Sequence, residues 1–586
     1  MCAGGERDKE PGNKTICPLT NYFFAILFAY VAFFSYLCTR IDKMTAFHMK
    51  IRYFLTLAIA ICFCTGVAAQ QKTARVDESL TIFSDVFRQL DMNYVDTLNY
   101  EQLTETAINA MLRKVDPYTV YFPKKKDDDL RMMTQGKYGG IGALIQQREV
   151  KGERQTFIAN PYEGKPAQRN GVWAGDRIIS VDGISTKGQT VSEVSNNLRG
   201  VPGTTVTLVL EREGVDKPFT KSFAREDIHL DAVDYYTAIK TPSDSPLKGE
   251  GYCGYISFRK FTENSARDFA AAVDDLYYNQ HIEGLIIDLR GNGGGIVDEA
   301  IRIVNLFVDK DTEVVSTKGK TQASCRHYIT QSPVRFPDMP LVVLVDKNSA
   351  STSEIVSGSL QDLKRATIIG QRTFGKGLVQ NVRPIAYDGH LKVTTSKYYL
   401  PSGRCIQAID YAEQQKGNAL KRDTAGGILP DIVMEDSAKV DICYSLYIKN
   451  MFFDYATRYH RLHDSIAPPE VFTLTDEEIE DFCRFLDEKE FTYETETSKF
   501  FADMLDMARH EDIDSTTMAA LEALQPALKP SFREAIARNI EEVKQMLGSE
   551  IVLRYYYQKG QIAYQLRFDK ELEKAKTLLT SLKESK

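Results

Sequence analysis

A chain of 586 residues with 43% hydrophobic content is long enough to build several packed domains. Its formal net charge of −7 argues against nucleic acid as the natural partner. The 10 cysteines fall into an early group (Cys2, Cys17, Cys38, Cys62, Cys64) and a scattered later one (Cys253, Cys325, Cys405, Cys443, Cys483), which offers no disulfide framework and no metal-ligand spacing.

Two apolar runs, Tyr22 to Cys38 and Tyr53 to Ala69, lie near the start. The second completes a signal-peptide pattern: Met49, then Lys50 and Arg52, an apolar stretch, and Val67-Ala68-Ala69 before Gln70. Met49 is therefore read as the start codon, residues 1–48 as a non-native upstream extension and 49–69 as the signal peptide, with export to the periplasm. The alternative is a membrane anchor over residues 22–38, at about 17 residues the short end of the spanning range. Bulky Ile61 and Phe63 precede Cys62 and Cys64, where a lipoprotein signal needs a small residue.

From Val76 to about Gln135, Leu80, Phe83, Val86, Phe87 and Leu90, then Leu103, Ala107, Ile108 and Met111, recur at helical spacing, predicting a helical region over 75–136. Composition changes at Tyr138-Gly139-Gly140-Ile141-Gly142. With Gly171-Val172-Trp173-Ala174-Gly175-Asp176-Arg177-Ile178-Ile179-Ser180-Val181-Asp182-Gly183, a helix over Thr190 to Leu198 and strands over Thr205 to Glu211 and Lys217 to Ala224, residues 137–228 resemble a PDZ domain. Such domains add a peptide as a strand and hold its terminal carboxylate on loop N–H groups. The resemblance makes Tyr138 to Gly142 the carboxylate loop and Ile141 to Gln146 the strand edge. An ordinary glycine turn would suit Gly139-Gly140 alone and leave the later matches unexplained. Residues 240–250, with Pro, Ser, Gly and charges, read as a linker.

Strand Gly254 to Phe258, a helix from about Asn264 to Tyr278, strand Gly284 to Asp288 and the turn Leu289-Arg290-Gly291-Asn292-Gly293-Gly294-Gly295 follow in α/β order. A dinucleotide fingerprint fails because Ile296 stands where its third glycine belongs. The apolar run Leu341 to Val345 then reads as a buried strand that turns at Asp346-Lys347-Asn348 into a helix, placing Ser351 at the helix N-terminus. Unpaired N–H groups and the helix dipole would stabilise negative charge there, making Ser351 a candidate nucleophile. Serines at helix starts are also caps, and Glu354 completes a capping box with Ser351. After strand Ala366 to Gly370, Lys376 between Gly375 and Gly377 is the candidate base. A phosphate loop over Gly370 to Lys376 fails at Gly377, where Ser or Thr is needed, and no helix pattern follows.

The string Asn348-Ser-Ala-Ser-Thr-Ser-Glu-Ile355, Gln361-Asp362, Arg365-Ala366, Gly370, Thr373-Phe374-Gly375-Lys376-Gly377, Val379-Gln380 and Tyr399-Leu-Pro-Ser-Gly-Arg404 resembles the C-terminal processing peptidases, or tail-specific proteases, across roughly residues 75 to 435. The resemblance implies a multidomain α/β protein with a crotonase-like serine protease core (229–435), an inserted PDZ domain and helical N- and C-terminal regions. It implies Ser351 as nucleophile, Lys376 as general base and Gln380 as the residue orienting the lysine. Residues four apart on an extended segment share a face, so Lys376 and Gln380 are able to meet. The family's Asp-Leu-Arg-x-Asn-x-Gly-Gly motif implies an oxyanion hole from a backbone N–H of Gly294 or Gly295 with that of Thr352. The helices before residue 136, with the turn Asp116-Pro117-Tyr118-Thr119, match the family's N-terminal region, where dimerisation is compatible with the pattern.

Residues 436–586 carry helical periodicity in Asp476 to Asp487 and Phe532 to Leu553 and read as an added helical domain. Its end, Lys570 to Lys586, reads as a solvated amphipathic helix. An adaptor, a dimer partner or the substrate path are the roles left open for it. The expectation is thus a serine endopeptidase acting on proteins with exposed C-termini, without metal or cofactor. The alternative is a non-catalytic peptide- or ligand-binding protein on the same fold. Intact Ser351 and Lys376 motifs favour the enzyme.

Overall fold

The computed structural model describes residues 76–124, 137–150, 152–241, 251–411, 426–435, 441–528 and 531–584, and Ala32. The expected signal peptide (49–69), the expected upstream extension (1–48, with its run 22–38) apart from Ala32, and residues 242–250 of the expected linker lie outside them. Among the described residues no helix is long and apolar enough to cross a membrane.

Residues up to 104 form one unit and those from 105 another. In the first, α1 (residues 76–93) sets Phe83 against Phe87, and Phe87 against Tyr100. Helix α2 (Tyr100–Arg113) starts there. Within the predicted helical region the described helix stops at Arg113, and residues 125–136 lie outside the described residues. Asp116 accepts hydrogen bonds from the N–H groups of Tyr118 and Thr119, both at 2.7 Å, and this turn diverts the chain into strand β1 (Val120–Phe122), antiparallel to Gly389–Tyr399.

The PDZ region holds β2 (Lys137–Gly140), β3 (Ala143–Val150), β4 (Glu153–Pro161), β5 (Arg177–Val181), β6 (Ile184–Ser185), α3 (Val191–Leu198), β7 (Thr205–Glu211), β8 (Phe219–Ala224) and β9 (Glu226–His229). The main sheet runs β3-β4-β5-β7-β8. Alternation in β7 sends Val206, Leu208 and Leu210 into a core with Ile158, Ile178 and Val194 of α3. Tyr138 to Gly140, expected as part of a loop, are strand residues: β2 pairs with β9, and only Ile141-Gly142 turn into β3. Gly139 lies so close to the Gly200 carbonyl that a Cβ would collide with it, which is the physical reason for glycine there. Among the described residues β3 pairs only with β4, leaving its other edge open beside α3.

The core contains β10 (Val233–Lys240), β11 (Tyr252–Phe258), α4 (Ser265–Asp274), β12 (Gly284–Asp288), α5 (Val297–Val304), β13 (Glu313–Gly319), β14 (Arg326–Ile329), β15 (Leu341–Val345), α6 (Thr352–Asp362), β16 (Thr367–Gly370), β17 (Leu378–Ile385), β18 (Gly389–Tyr399) and β19 (Ile432–Val433). One sheet is ordered β10-β11-β12-β15-β16-β19, parallel from β11 onward. Its central strands β12 and β15 are buried at every position, as continuous apolar runs require when both faces are covered. A second sheet, β1-β18-β13-β14 with β17 on β18, packs beside it.

The C-terminal domain comprises α7 (Asp441–Ile448), α8 (Met451–Leu462), α9 (Asp476–Glu488), α10 (Glu496–His510), α11 (Ser515–Leu524), α12 (Phe532–Arg538), α13 (Ile540–Gln565) and α14 (Lys570–Glu584). Helix α14 is not the solvated helix its sequence predicted. Leu572, Ala575 and Leu579 are buried against Tyr255, Ile286, Val342 and Leu344 of the parallel sheet. The PDZ region also rests on this domain: Arg148 of β3 pairs with Asp454 at 2.5 Å, its guanidinium 4.4 Å from the Phe157 ring and 4.7 Å from that of Phe453.

Candidate active site

At the C-terminal end of β15 the chain turns on Asp346, whose carboxylate accepts from the N–H groups of Asn348, Ser349 and Gly291 at 2.9–3.0 Å. The same turn is fastened to the glycine loop after β12, since Ser349 Oγ donates to the Leu289 carbonyl at 2.8 Å and the Ala350 N–H to that of Asn292 at 3.0 Å. Held from both sides, Ser351 adopts φ 57° and ψ −111°, a conformation costly for a residue with a Cβ. It is 9% exposed and caps α6.

Glu354, one turn into α6, is fully buried and accepts four hydrogen bonds. Its Oε2 takes the Ser351 N–H at 2.7 Å and the Lys376 N–H at 2.9 Å; its Oε1 takes the Thr373 hydroxyl at 2.6 Å and the Gly375 N–H at 2.7 Å. The backbones of Ser351 and Lys376 thus stand within the span of two hydrogen bonds to one oxygen. Burial pushes the Glu354 carboxyl upward, and these four donors oppose the shift. Sequence reasoning saw only the capping pattern, because the partners at Thr373 to Lys376 come from a separate turn.

The Lys376 side chain is half buried and its Nζ sits 4.5 Å from the centre of the Tyr118 ring. Burial, and then the charge of Lys392, lower Lys376 to about 8, while Glu354 and Asp116 pull the other way. Tyr118 was missed as a neighbour of the lysine; its only sequence signal was the Asp116-Pro117-Tyr118-Thr119 turn. Burial raises the Tyr118 hydroxyl far above its usual range, so it stays neutral. Gly375, at φ 87°, allows the turn to pass directly against Ala408.

Gln380 stands beyond a bulge between Val379 and Gln380 that interrupts the alternation of β17. Its amide donates to the Leu378 carbonyl at 3.0 Å and the Thr394 hydroxyl at 3.4 Å. Gly294, at φ 97°, lies against the helix start: a Cβ on it would be 2.9 Å from Ser351 Cβ and from Thr352 N. The Gly294 N–H donates to Asn292 Oδ1 at 2.9 Å and the Gly295 N–H to Thr352 Oγ1 at 3.1 Å. Both candidate donors therefore sit beside Ser351 with side-chain oxygens occupying their N–H groups. In the PDZ region the Ile141 carbonyl accepts from Ala167 N–H at 2.9 Å and that of Gly142 from Tyr162 N–H at 2.9 Å, tying the turn before β3 to the elements behind it.

Residues 252–434 match the family model "Peptidase family S41", 129–211 "PDZ domain" and 442–579 "Probable PDZ-protease, C-terminal helical domain". The chain is 37% identical over 377 residues to a carboxy-terminal-processing protease of Bartonella bacilliformis, covering 63% of this chain and 79% of that protein. It is 30% identical over 374 residues to a CtpA-like serine protease of Staphylococcus aureus, covering 61% of this chain and 71% of the relative. Among solved structures, a photosystem II D1 C-terminal processing protease is 28% identical, with a TM-score of 0.36, over 60% of this chain and 86% of that one. A strained serine at a helix start, a lysine turn held to it and relatives matched over most of their length lead to one assignment: the chain belongs to peptidase family S41, the carboxy-terminal-processing serine peptidases, and carries a PDZ domain.

Proposed function

We propose that the protein is an extracytoplasmic endopeptidase that binds protein C-terminal tails through its PDZ domain and cleaves the chain with a Ser351–Lys376 dyad. The observation that supports the dyad most is the shared Glu354 oxygen, which fixes the backbones of both residues side by side. Neutral Lys376 takes the Ser351 hydroxyl proton as Oγ attacks the scissile carbonyl. The tetrahedral oxyanion is held by the Thr352 N–H and by Gly294 or Gly295, whose N–H turns from its present side-chain acceptor toward the substrate. The lysine returns the proton to the leaving amine, and water then hydrolyses the acyl-enzyme by the same route. Gln380 is assigned the role of orienting the lysine, and its amide is held at the edge of this site by the Leu378 carbonyl and the Thr394 hydroxyl.

Tail recognition is supported by the open edge of β3 beside α3, where a peptide is able to add as a strand with its carboxylate at Ile141-Gly142. The test is hydrolysis of an unfolded protein with an apolar C-terminus by the wild type and by Ser351→Ala. Cleavage lost in the variant, and reduced when the terminus is amidated, supports both parts. Cleavage that survives Ser351→Ala overturns the dyad.

A further inference from the structure

We propose that Asp569 and Glu571, at the start of the last helix, are positioning residues for the glycine loop that faces Ser351, which makes the C-terminal helical domain a working part of the active site. This rests on the reading of that loop as the source of an oxyanion donor.

Arg290 heads the loop. Its guanidinium makes a forked pair with Asp288, Nε to Oδ1 at 2.9 Å and Nη2 to Oδ2 at 2.7 Å, and Asp288 is further fixed by the Tyr255 hydroxyl at 2.7 Å. One carboxylate would satisfy such a fork. Here two more come from the C-terminal domain: Nη2 reaches Asp569 Oδ2 at 2.5 Å and Nη1 reaches Glu571 Oε2 at 2.6 Å. Asp569 Oδ1 also accepts from the Leu572 N–H at 2.9 Å, so the residue that holds Arg290 also caps α14. The helix in turn is pinned to the catalytic sheet by Leu572, Ala575 and Leu579.

A second arm grips the backbone of the same residue. Arg259 Nη1 donates to the Arg290 carbonyl at 3.2 Å, Arg259 Nε to Asp234 at 2.8 Å, and Gln558 of α13 to the same Asp234 oxygen at 3.2 Å. From Arg290 the loop is taut. Gly291 N–H is fixed on Asp346, the Asn292 carbonyl takes Ala350 N–H and Ser353 Oγ at 3.0 and 2.8 Å, and Gly294 touches Ser351 and Thr352. A displacement of Arg290 is therefore passed to Gly294, and donors act only when placed to within a fraction of an ångström.

The experiment compares full-length wild type, E571Q, D569N and D569E on a quenched fluorescent peptide with an apolar C-terminus. Active sites are counted with a fluorophosphonate probe, and hydrogen exchange is followed over residues 289–296. We expect kcat per titrated site to fall roughly ten-fold in E571Q and D569N with KM changed less than about two-fold, recovery in D569E, and faster exchange of the loop. A purely structural role would lower the number of titratable sites and leave kcat per site unchanged, which overturns the proposal. Should D569N not fold, E571Q, which keeps the shape and one acceptor, decides alone. Absence of any Ser351-dependent hydrolysis in the wild type would remove the peptidase reading itself; normal wild-type hydrolysis with normal variants removes only the positioning role.

Discussion

Among the described residues four helices begin with the same pattern, a hydroxyl residue followed three positions later by glutamate, at Thr190, Ser351, Thr475 and Ser531, and at the first three the glutamate also accepts the N–H of its own cap residue. At Thr190 and Thr475 the N-cap is relaxed, with φ −75° at both, and exposed, and the glutamates Glu193 and Glu478 each accept the N–H of their own cap at 2.7 Å. At Ser351 the cap is strained and nearly buried, and Glu354 gathers three further donors from a distant turn. Local sequence treats all three alike. Burial, strain and partners brought from elsewhere in the chain separate the helix that merely starts from the helix that carries the proposed nucleophile.

The largest effects should fall where that difference is greatest. Ser351→Ala and Lys376→Ala should each lower peptide hydrolysis by about a thousand-fold or more, measured as kcat/KM. Lys376→Arg should be equally inactive, because a guanidinium stays protonated and cannot accept the serine proton. Hydrolysis retained in either lysine variant would show that the buried box presents no dyad.

Glu354→Gln comes next. An amide NH₂ in place of one carboxylate oxygen would face N–H or O–H donors on whichever side it turned, leaving at least one buried donor unpaired. The expected loss is about 3 kcal/mol in unfolding free energy together with impaired turnover. Glu193→Gln, on the solvent side, should leave turnover unchanged. Denaturant titration and kinetics of the two variants measure the contrast; equal responses would mean that the buried carboxylate is only a cap.

Much of this was legible beforehand, and the exceptions share a cause. β12 and β15 were readable because strands covered on both faces are written as unbroken apolar runs. Ser351 was readable from the change of strand to helix. The reach of Glu354 was not, since it depends on Thr373 to Lys376 folding back. Nor was the burial of α14: an amphipathic helix does not announce whether its apolar stripe meets a sheet or weak solvent-side packing. Tyr138 to Gly140 misled because glycines suggest a loop, whereas here they lie in a strand and Gly139 admits the approach of the Gly200 carbonyl.

A smaller effect concerns the lysine's titration. With Lys376 lowered to about 8, activity should rise with pH through that region as the ammonium loses its proton. Lys392→Met removes a positive charge that disfavours protonated Lys376, so the lysine's pKa should rise, the profile should move to higher pH, and activity at neutral pH should fall. The pH dependence of kcat/KM in both proteins is the check. No shift would show that the Lys392 charge does not act on the lysine, and a shift to lower pH would overturn its assigned sign.

The smallest effect belongs to an exposed box, and it serves as the control for the rest. Thr190 Oγ1 accepts the Glu193 N–H at 3.3 Å, and Thr190→Ala removes that cap at the start of the PDZ helix α3. Loss of a threonine cap costs about 1 kcal/mol, felt in the PDZ region, where Val194 and Leu198 anchor α3 to the core. No bond of this cap reaches the Ser351 turn, so hydrolysis of a short peptide that needs no tail recognition should proceed at the wild-type rate. Affinity for a peptide with a free apolar C-terminus should weaken by several-fold at most, because α3 forms one wall beside the open edge of β3. Calorimetric unfolding, titration of the tail peptide and short-peptide kinetics separate these three expectations. If Thr190→Ala slowed the short peptide as severely as Glu354→Gln, the two boxes would be coupled through the fold, and the distinction between an exposed cap and a buried one would no longer account for where the reactivity lies.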